Sequence, residues 1–135
     1  EKEYFALVEG IPQSKQFTID KAIAKLTASK RIVGEGIPGS QSARTDVEWL
    51  TSINDRSLLR VIPRSGRTNQ IRVHLASVGL PIYNDSVYGH GKVSDQEYNL
   101  HHRCMKFQCF DRKIKLTAIN PPHFQPYMNK VEEKK

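Results

Sequence analysis

Short apolar runs separated by turn residues dominate the first part of the chain. Residues 4–8 are Tyr-Phe-Ala-Leu-Val, an apolar run that suits a strand, and Gly10 and Pro12 follow it. This pattern predicts a buried strand that ends before Gly10. Residues 17–20 predict a short second strand. Residues 34–42 hold three glycines, one proline and two serines, so they are predicted to form a loop.

Two strand pairs are predicted further along the chain. Residues 45–53 and 57–63 form the clearest hairpin, because the Asn-Asp pair between them supplies turn chemistry. Residues 104–110 and 114–118 predict another pair, and Asn-Pro-Pro at 120–122 stops its second strand. Together these patterns predict an α+β fold with a largely antiparallel mixed sheet and few helices.

One helix is predicted, over residues 69–78. Its apolar residues recur at helical spacing and form one face, at Ile71, Leu75 and Val78. Thr68 is the expected N-cap of this helix, and Gly79 is the expected C-terminal end. The Asn, Asp and Gly residues at 80–89 predict a structured loop after the helix.

The chain has 135 residues, of which 38% are hydrophobic and 26% are charged. This length suits a single domain, and the composition is typical of a folded globular protein. No apolar run is long enough for a transmembrane helix, so no membrane partner is expected. No signal peptide is expected either. Because the chain starts with Glu1 rather than Met, we expect it to be cut from something longer.

Lys and Arg number 21 against 14 Asp and Glu, which gives a formal net charge of +7. This excess favours an anionic partner such as nucleic acid, although a merely basic surface would give the same count. Five arginines lie within residues 56–72, a stretch without Asp or Glu: Arg56, Arg60, Arg64, Arg67 and Arg72. Arginine suits bidentate phosphate contacts and stacking on bases, so these side chains are expected to line one face that binds nucleic acid.

The two cysteines, Cys104 and Cys109, are too few for a disulfide scaffold and favour a reducing, intracellular compartment. They do not distinguish cytoplasm, nucleus and organelle. His101 and His102 lie nearby, but the spacing matches no common zinc pattern. In a strand, an odd separation would also place the two thiols on opposite faces. No metal site is therefore predicted.

The densest group of chemically useful side chains lies at residues 65–74, where a strand end, a glycine turn and a helix start coincide. The free N–H groups and positive partial charge of a helix N-terminus suit a phosphate or a carboxylate, and Arg67 lies there. Arg72 flanks the apolar helix face, from which it can reach a buried carboxylate. The alternative is that Gly66 is only a turn glycine and Arg72 a surface cation.

Residues 66–75, followed by Gly-Leu-Pro-Ile at 79–82 and by Asp, Tyr and Gly within 85–89, resemble the signature sequence of the RluA-type RNA pseudouridine synthases. The resemblance extends over most of the chain, in the right order. The further matching residues are Lys2, Tyr4, Ala6, Val8, Gly10, Ala43, Thr45, Leu100, His101, Phe107, Pro122 and Phe124. The resemblance implies a pseudouridine synthase-like fold, of which residues 1–135 are the C-terminal part.

The resemblance also implies an activity. Members of this family isomerise uridine to pseudouridine within RNA, without metal or cofactor, by detaching the uracil at N1 and reattaching it through C5. The target nucleotide has to leave its stack, and an essential aspartate has to stay ionised in the pocket. By resemblance, the catalytic residues are Arg72, which opposes the effect of burial on that aspartate, and Tyr4, which lies against the uracil ring. Arg67 and Gln70 would shape the RNA-facing edge, with Arg64 nearby for phosphate.

Two departures from the family pattern matter. Asn69 stands where the family usually has His, but an amide still donates and accepts hydrogen bonds, so Asn69 remains an RNA-binding candidate. The essential aspartate belongs to a His-Arg-Leu-Asp type motif upstream of Tyr4, and no such motif occurs in these 135 residues. Asp85 matches a different family aspartate, one that orders a loop.

Three interpretations follow. In the first, the chain is the C-terminal part of a synthase that acts on rRNA or tRNA, and a missing N-terminal half, as a segment or a separate chain, carries the catalytic aspartate. This part alone would then be inactive. In the second, the protein is a non-catalytic RNA-binding or ribosome-assembly factor derived from such an enzyme. The third, an unrelated basic α+β domain, is disfavoured by the ordered motif matches.

Overall fold

The structure, a computed structural model, describes residues 1–91, 99–109 and 111–133, apart from the side chains of 107 and 109. Its elements are β1 Lys2–Glu9, β2 Gln16–Asp20, β3 Ile23–Lys25, β4 Arg31–Val33, β5 Arg44–Ile53, β6 Arg56–Pro63, α1 Gln70–Ser77, β7 Leu100–Cys109, β8 Arg112–Thr117, a 3-10 turn Pro122–Phe124 and α2 Gln125–Glu133. Six strands form one antiparallel sheet in the order β2-β5-β6-β1-β7-β8, and β3 pairs with β4 separately. The predicted α+β class is therefore confirmed.

Most predicted elements are confirmed, with ends that shift by a few residues. β1, β2, β5, β6, β8 and α1 cover the predicted segments, and Asn54 makes the hairpin turn with a φ of 54°. β7 begins earlier than predicted, because Leu100 pairs with Ala6 of β1. Phe110, the predicted end of that strand, lies outside the described residues. Neither helix in the described part of the chain is long and apolar enough to cross a membrane.

The predicted elements do not include the β3–β4 hairpin or α2. Strands of three residues are too short to show a period, and the hairpin is held by contacts made elsewhere: Ile23 is buried beside Val73 of α1. Helix α2 has Tyr127 as its one buried residue. That ring packs against Phe5 and Leu58 of the sheet together with Phe124, Met128 and Val131. Tyr127 and these last three residues recur at helical spacing, so the sequence does carry a stripe for this helix, which the predicted elements overlook.

The predicted N-cap of α1 is wrong. Asn69, not Thr68, occupies the cap position, in the left-handed conformation with a φ of 58° and without a side-chain capping bond. The Asn69 side chain bonds to Arg72 and Tyr88 instead. The predicted C-terminal end is confirmed, since Gly79 has a φ of 79° and its N–H donates to the Ala76 carbonyl at 3.1 Å.

The sheet buries an apolar cluster on each face. On the face that carries α1, called here the α1 face, β1 and β6 contribute residues such as Ala6 and Leu59, which pack with Leu75. On the opposite face, called the α2 face, Phe5 and Leu7 pack with Leu58, Phe124 and Tyr127. Successive residues of a strand point to opposite faces, so β1 supplies both clusters. Tyr4 shares the α1 face with Ala6 and Val8.

Candidate functional site

A pocket of about 310 Å³ opens on the α1 face, between β1, the end of β6 and the start of α1. Five of the six predicted site residues line it: Tyr4, Arg67, Asn69, Gln70 and Arg72. Its volume lies at the lower end of the range for small-molecule sites. The structure therefore brings together, in one concave site, side chains that are separated by more than sixty residues of sequence.

Arg64 does not reach this pocket. Its guanidinium forms ion pairs with Glu1 and Asp46, each at 2.8 Å. Arg60 lies on β6, four residues before Arg64. It pairs with Glu3 and, at 3.8 Å, with Glu48. The single arginine face expected over residues 56–72 is wrong, because alternation along β6 sends these side chains to the α2 face among carboxylates.

Arg72 reaches a buried carboxylate, as its position beside the apolar helix face predicts. That carboxylate is Asp85: Nε lies 2.9 Å from Oδ2 and Nη2 lies 2.9 Å from Oδ1. The Asp85 side chain is 3% exposed, and its Oδ1 also accepts the N–H groups of Val87 and Tyr88. Asp85 thereby holds the loop after α1 in place, as the resemblance implies for this aspartate.

The electrostatics of this pair keep Asp85 ionised. Burial raises the pKa of its carboxyl group, but the hydrogen bonds from Arg72 and from the N–H groups of Val87 and Tyr88 outweigh burial, so the pKa is lowered from its ordinary value of 3.8. Arg72 has a raised pKa, first because of its hydrogen bonds to Asp85. The guanidinium is therefore a fixed positive charge in the pocket wall.

Asn69 connects the pocket to its surroundings. Its Oδ1 accepts a bond from Nη1 of Arg72 at 3.2 Å, and its Nδ2 donates to the Tyr88 hydroxyl at 3.1 Å. The same hydroxyl accepts the backbone N–H of Arg31 in β4 at 2.8 Å. Asn69 thus ties the start of α1 to the loop after the helix and to the β3–β4 hairpin.

Gln70 is a structural residue rather than a direct RNA contact. Its side chain is buried, and its Nε2 donates to the Arg44 carbonyl and to Thr45 Oγ1. Its Oε1 accepts bonds from the Ser65 hydroxyl and from the Arg67 N–H. These four bonds use the whole hydrogen-bonding capacity of an amide, so none is left for RNA. Gln70 instead fixes the loop that carries Arg67.

His74 extends this buried network, and the sequence pattern gave no reason to single it out. Its Nε2 lies 2.8 Å from the Lys21 carbonyl, and its Nδ1 lies 2.8 Å from Thr45 Oγ1. A carbonyl only accepts, so Nε2 carries the proton and Nδ1 accepts the Thr45 hydroxyl. Burial lowers the pKa of His74, although its bond to the Lys21 carbonyl acts the other way. The ring is therefore a neutral member of the chain Gln70–Thr45–His74.

Tyr4 forms the aromatic wall of the pocket. Burial raises the pKa of its hydroxyl. The ring stacks on His102 of β7, with centroids 4.5 Å apart and an angle of 19° between the planes. Within the described residues, Nε2 of His102 has no hydrogen-bond partner. His102 is a neighbour of the site that only the pairing of β1 with β7 reveals.

The described side chains provide neither a metal site nor a carboxylate in the pocket wall. No group of three or more His, Cys, Asp and Glu among them is placed to hold a metal ion. Cys104 is buried with a free thiol. The side chain of Cys109 lies outside the described part, so the prediction that the two thiols lie on opposite faces concerns residues that the structure does not fully describe. No Asp or Glu of the described chain lines the 310 Å³ pocket either. The site thus offers an aromatic ring, hydroxyl groups and guanidinium groups.

Comparison with known proteins identifies relatives of this arrangement. A family model described as RNA pseudouridylate synthase matches residues 1–77. An uncharacterized RNA pseudouridine synthase of Zymomonas mobilis subsp. mobilis is 39% identical over 95 residues, covering 67% of this chain and 42% of that protein. Ribosomal large subunit pseudouridine synthase D of the same organism is 30% identical over 115 residues, covering 83% and 33%.

The fold has relatives among solved structures as well. Human RNA pseudouridylate synthase domain containing 1 superposes with a TM-score of 0.74 at 26% identity, and the match covers 96% of this chain and 58% of the human chain. The chain therefore spans less than two thirds of the length of each of these proteins.

Proposed function

Because the chain belongs to the RluA-type family of RNA pseudouridine synthases, we propose that it is the C-terminal part of a catalytic domain that converts uridine to pseudouridine in RNA. One observation carries the proposal: Tyr4, Arg67 and Arg72 converge on one pocket of nucleoside size. The rest of the domain would come from polypeptide outside these 135 residues. Ribosomal RNA is the favoured target, because a relative is named for the large ribosomal subunit.

In the proposed mechanism, the target uridine is flipped out of its stack into the pocket, where its base lies against the Tyr4 ring. The N1–C1′ bond breaks and a C5–C1′ bond forms; C5 loses a proton and N1 gains one, so the change is an isomerisation. Arg72 supplies fixed positive charge beside the reacting nucleotide, and its pairing with Asp85 keeps it oriented. No metal or cofactor takes part in these steps.

The carboxylate that the reaction needs has no candidate among the described residues of the pocket wall. We therefore place it on the missing N-terminal half, docked against the α1 face of β7 and β8. That area lies next to Tyr4 and His102 and exposes apolar side chains: Leu116 is 57% exposed, and Ile119 beyond the strand is 95% exposed. Apolar area of this kind normally has a partner.

A second candidate function is favoured by the same lack of a carboxylate together with Asn69. A non-catalytic RNA-binding or ribosome-assembly factor would keep the base pocket and lose the reactive group. The sequence of the complete protein distinguishes the two, because an intact His-Arg-Leu-Asp type motif upstream of Tyr4 favours the enzyme.

The direct test uses the complete protein and RNA from cells that lack it. After incubation, pseudouridines are mapped by primer extension after carbodiimide treatment. New stops are expected for the wild type and for Arg44→Ala, an exposed arginine on the α2 face. Arg72→Ala should lose the stops while its RNA affinity falls much less. Tight RNA binding without any new stop would refute the enzyme, and equal loss of binding and modification in Arg72→Ala would refute the role of Arg72.

A further inference from the structure

Two cations face each other directly in the β3–β4 hairpin. Lys25 and Arg31 are cross-strand partners, so their side chains point to the same side of the two strands. Like charges in this arrangement destabilise a strand pair, and an isolated pair of short strands has little stability to spare. Lys106 and Lys115 form a second like-charge pair between β7 and β8, so the surroundings of Lys25 and Arg31, and not the repulsion alone, have to identify a site.

Both side chains line a small pocket of about 170 Å³, together with Arg67 and Thr68. No carboxylate lines this pocket, and among the described residues no carboxylate oxygen lies within 4.0 Å of a side-chain nitrogen of Lys25, Arg31 or Arg67. Five other arginines have carboxylate partners, namely Arg44, Arg60, Arg64, Arg72 and Arg103. Arg56 lies over the Tyr83 ring instead. Arg31 Nη1 donates to the Thr27 carbonyl at 3.3 Å, which leaves its charge uncompensated. Lys25, Arg31 and Arg67 therefore form a cluster of cations without a carboxylate partner among the described residues.

The small pocket adjoins the 310 Å³ pocket, because Arg67 lines both. The hairpin is also fixed relative to the larger pocket: the N–H of Arg31 donates to the Tyr88 hydroxyl, which accepts a bond from Asn69. Arg67 is held from behind, since its Nε donates to the Ser42 carbonyl at 2.9 Å. An anion bound by Lys25, Arg31 and Arg67 would thus lie at a set distance from a nucleoside in the larger pocket.

We infer that this site binds the backbone phosphate of a nucleotide next to the target uridine. The inference rests on the proposed function, because it assumes that RNA occupies the larger pocket. A phosphate suits the site since it is a compact anion that accepts several charge-assisted bonds from Arg and Lys. Its binding would also remove the repulsion between Lys25 and Arg31.

The test compares two charge-matched double variants of the complete protein. Lys25→Gln/Arg31→Gln removes the proposed contacts and keeps the backbone bond to Tyr88. Arg112→Gln/Lys113→Gln removes one Arg and one Lys from exposed positions of β8 that face no cation across the strands. Affinity for a uridine-containing stem-loop RNA is measured by fluorescence anisotropy across a salt series, and thermal unfolding is measured alongside. The hairpin variant should lower the slope of log affinity against log salt by about one for each lost contact.

The hairpin variant should at the same time unfold at an equal or higher temperature than the wild type, because a repulsive pair is gone. The β8 variant should change the slope much less. Replacing the phosphate on one side of the target uridine with a neutral methylphosphonate should weaken wild-type binding and leave the hairpin variant unchanged. Equal slopes for the two variants, or equal methylphosphonate effects in wild type and hairpin variant, would overturn the inference. Either result is compatible with an active synthase, whereas RNA binding without modification would refute the proposed function alone.

Discussion

The buried hydroxyl of Thr45 is the most informative single group to remove. Thr45 is fully buried, and its Oγ1 accepts a bond from Gln70 at 3.0 Å while it donates to Nδ1 of His74. Thr45→Val keeps the size and shape of the side chain and deletes both bonds. One N–H of Gln70 and the Nδ1 lone pair of His74 would then be buried without partners.

The expected cost follows from these two orphaned groups. A buried polar group that loses its partner costs about 1–3 kcal/mol, so two cost about 2–6 kcal/mol. Replacing the hydroxyl with a methyl group returns about 1 kcal/mol of apolar burial. Thr45→Val should therefore lower the free energy of unfolding by about 1–5 kcal/mol, with a middle value of about 3 kcal/mol. Thr45→Ser keeps the hydroxyl and loses one methyl group, for about 1 kcal/mol.

Urea unfolding measures this difference, with the fluorescence of Trp49, the only tryptophan of the chain, as the signal. The midpoint should fall in the order wild type, Thr45→Ser, Thr45→Val, at similar slopes. Hydrophobicity alone predicts the reverse order for the two variants. A valine variant as stable as wild type would refute the hydrogen-bonded chain through Gln70, Thr45 and His74, and with it the assigned tautomer of His74.

Three further results are expected, which concern the residues around α1 and the loop after it. Arg72→Ala should cost about 3 kcal/mol of stability, because it leaves Asp85 buried without its cation, and a second change, Asp85→Asn, should recover part of this loss in urea unfolding. Folding lowers the pKa of Asp85, so its contribution to stability should be complete above its ordinary pKa of 3.8 and be lost as the pH falls through the folded pKa. In Arg72→Ala, the free energy of unfolding should therefore fall less steeply over this acidic range. Gly91→Ala should strongly lower the thermal midpoint, since its Cβ would lie 2.0 Å from the Asn84 backbone, whereas Gly66→Ala, with no atom within 4 Å of its Cβ, should fold like wild type.

The sequence predicts the local elements of this fold better than the contacts that complete it. The β5–β6 hairpin follows from its alternation and from Asn54, and α1 follows from the spacing of Ile71 and Leu75, because each depends on neighbouring residues. The β3–β4 hairpin could not be predicted in this way, since its strands are short and distant residues stabilise it. Helix α2 could have been predicted, because Phe124, Tyr127, Met128 and Val131 recur at helical spacing. The same division holds for the site: the resemblance supplied Tyr4 and Arg72, but His102 becomes a neighbour of Tyr4 only through strand pairing.

The arginines show why charge counts along a sequence locate an interface poorly. Residues 56–72 contain no acid, yet Arg60 and Arg64 are paired with carboxylates that come from β1, β5 and the chain start. Arg60 on β6 and Arg64 directly after it both lie on the α2 face, where these carboxylates are. Arg67, three residues further along, lines the pocket on the α1 face instead. A cation without a carboxylate partner retains more of its field for a ligand than a paired one. The proposed RNA face therefore consists of Arg67 and, about forty residues earlier in the sequence, Lys25 and Arg31, and not of the arginine-rich stretch itself.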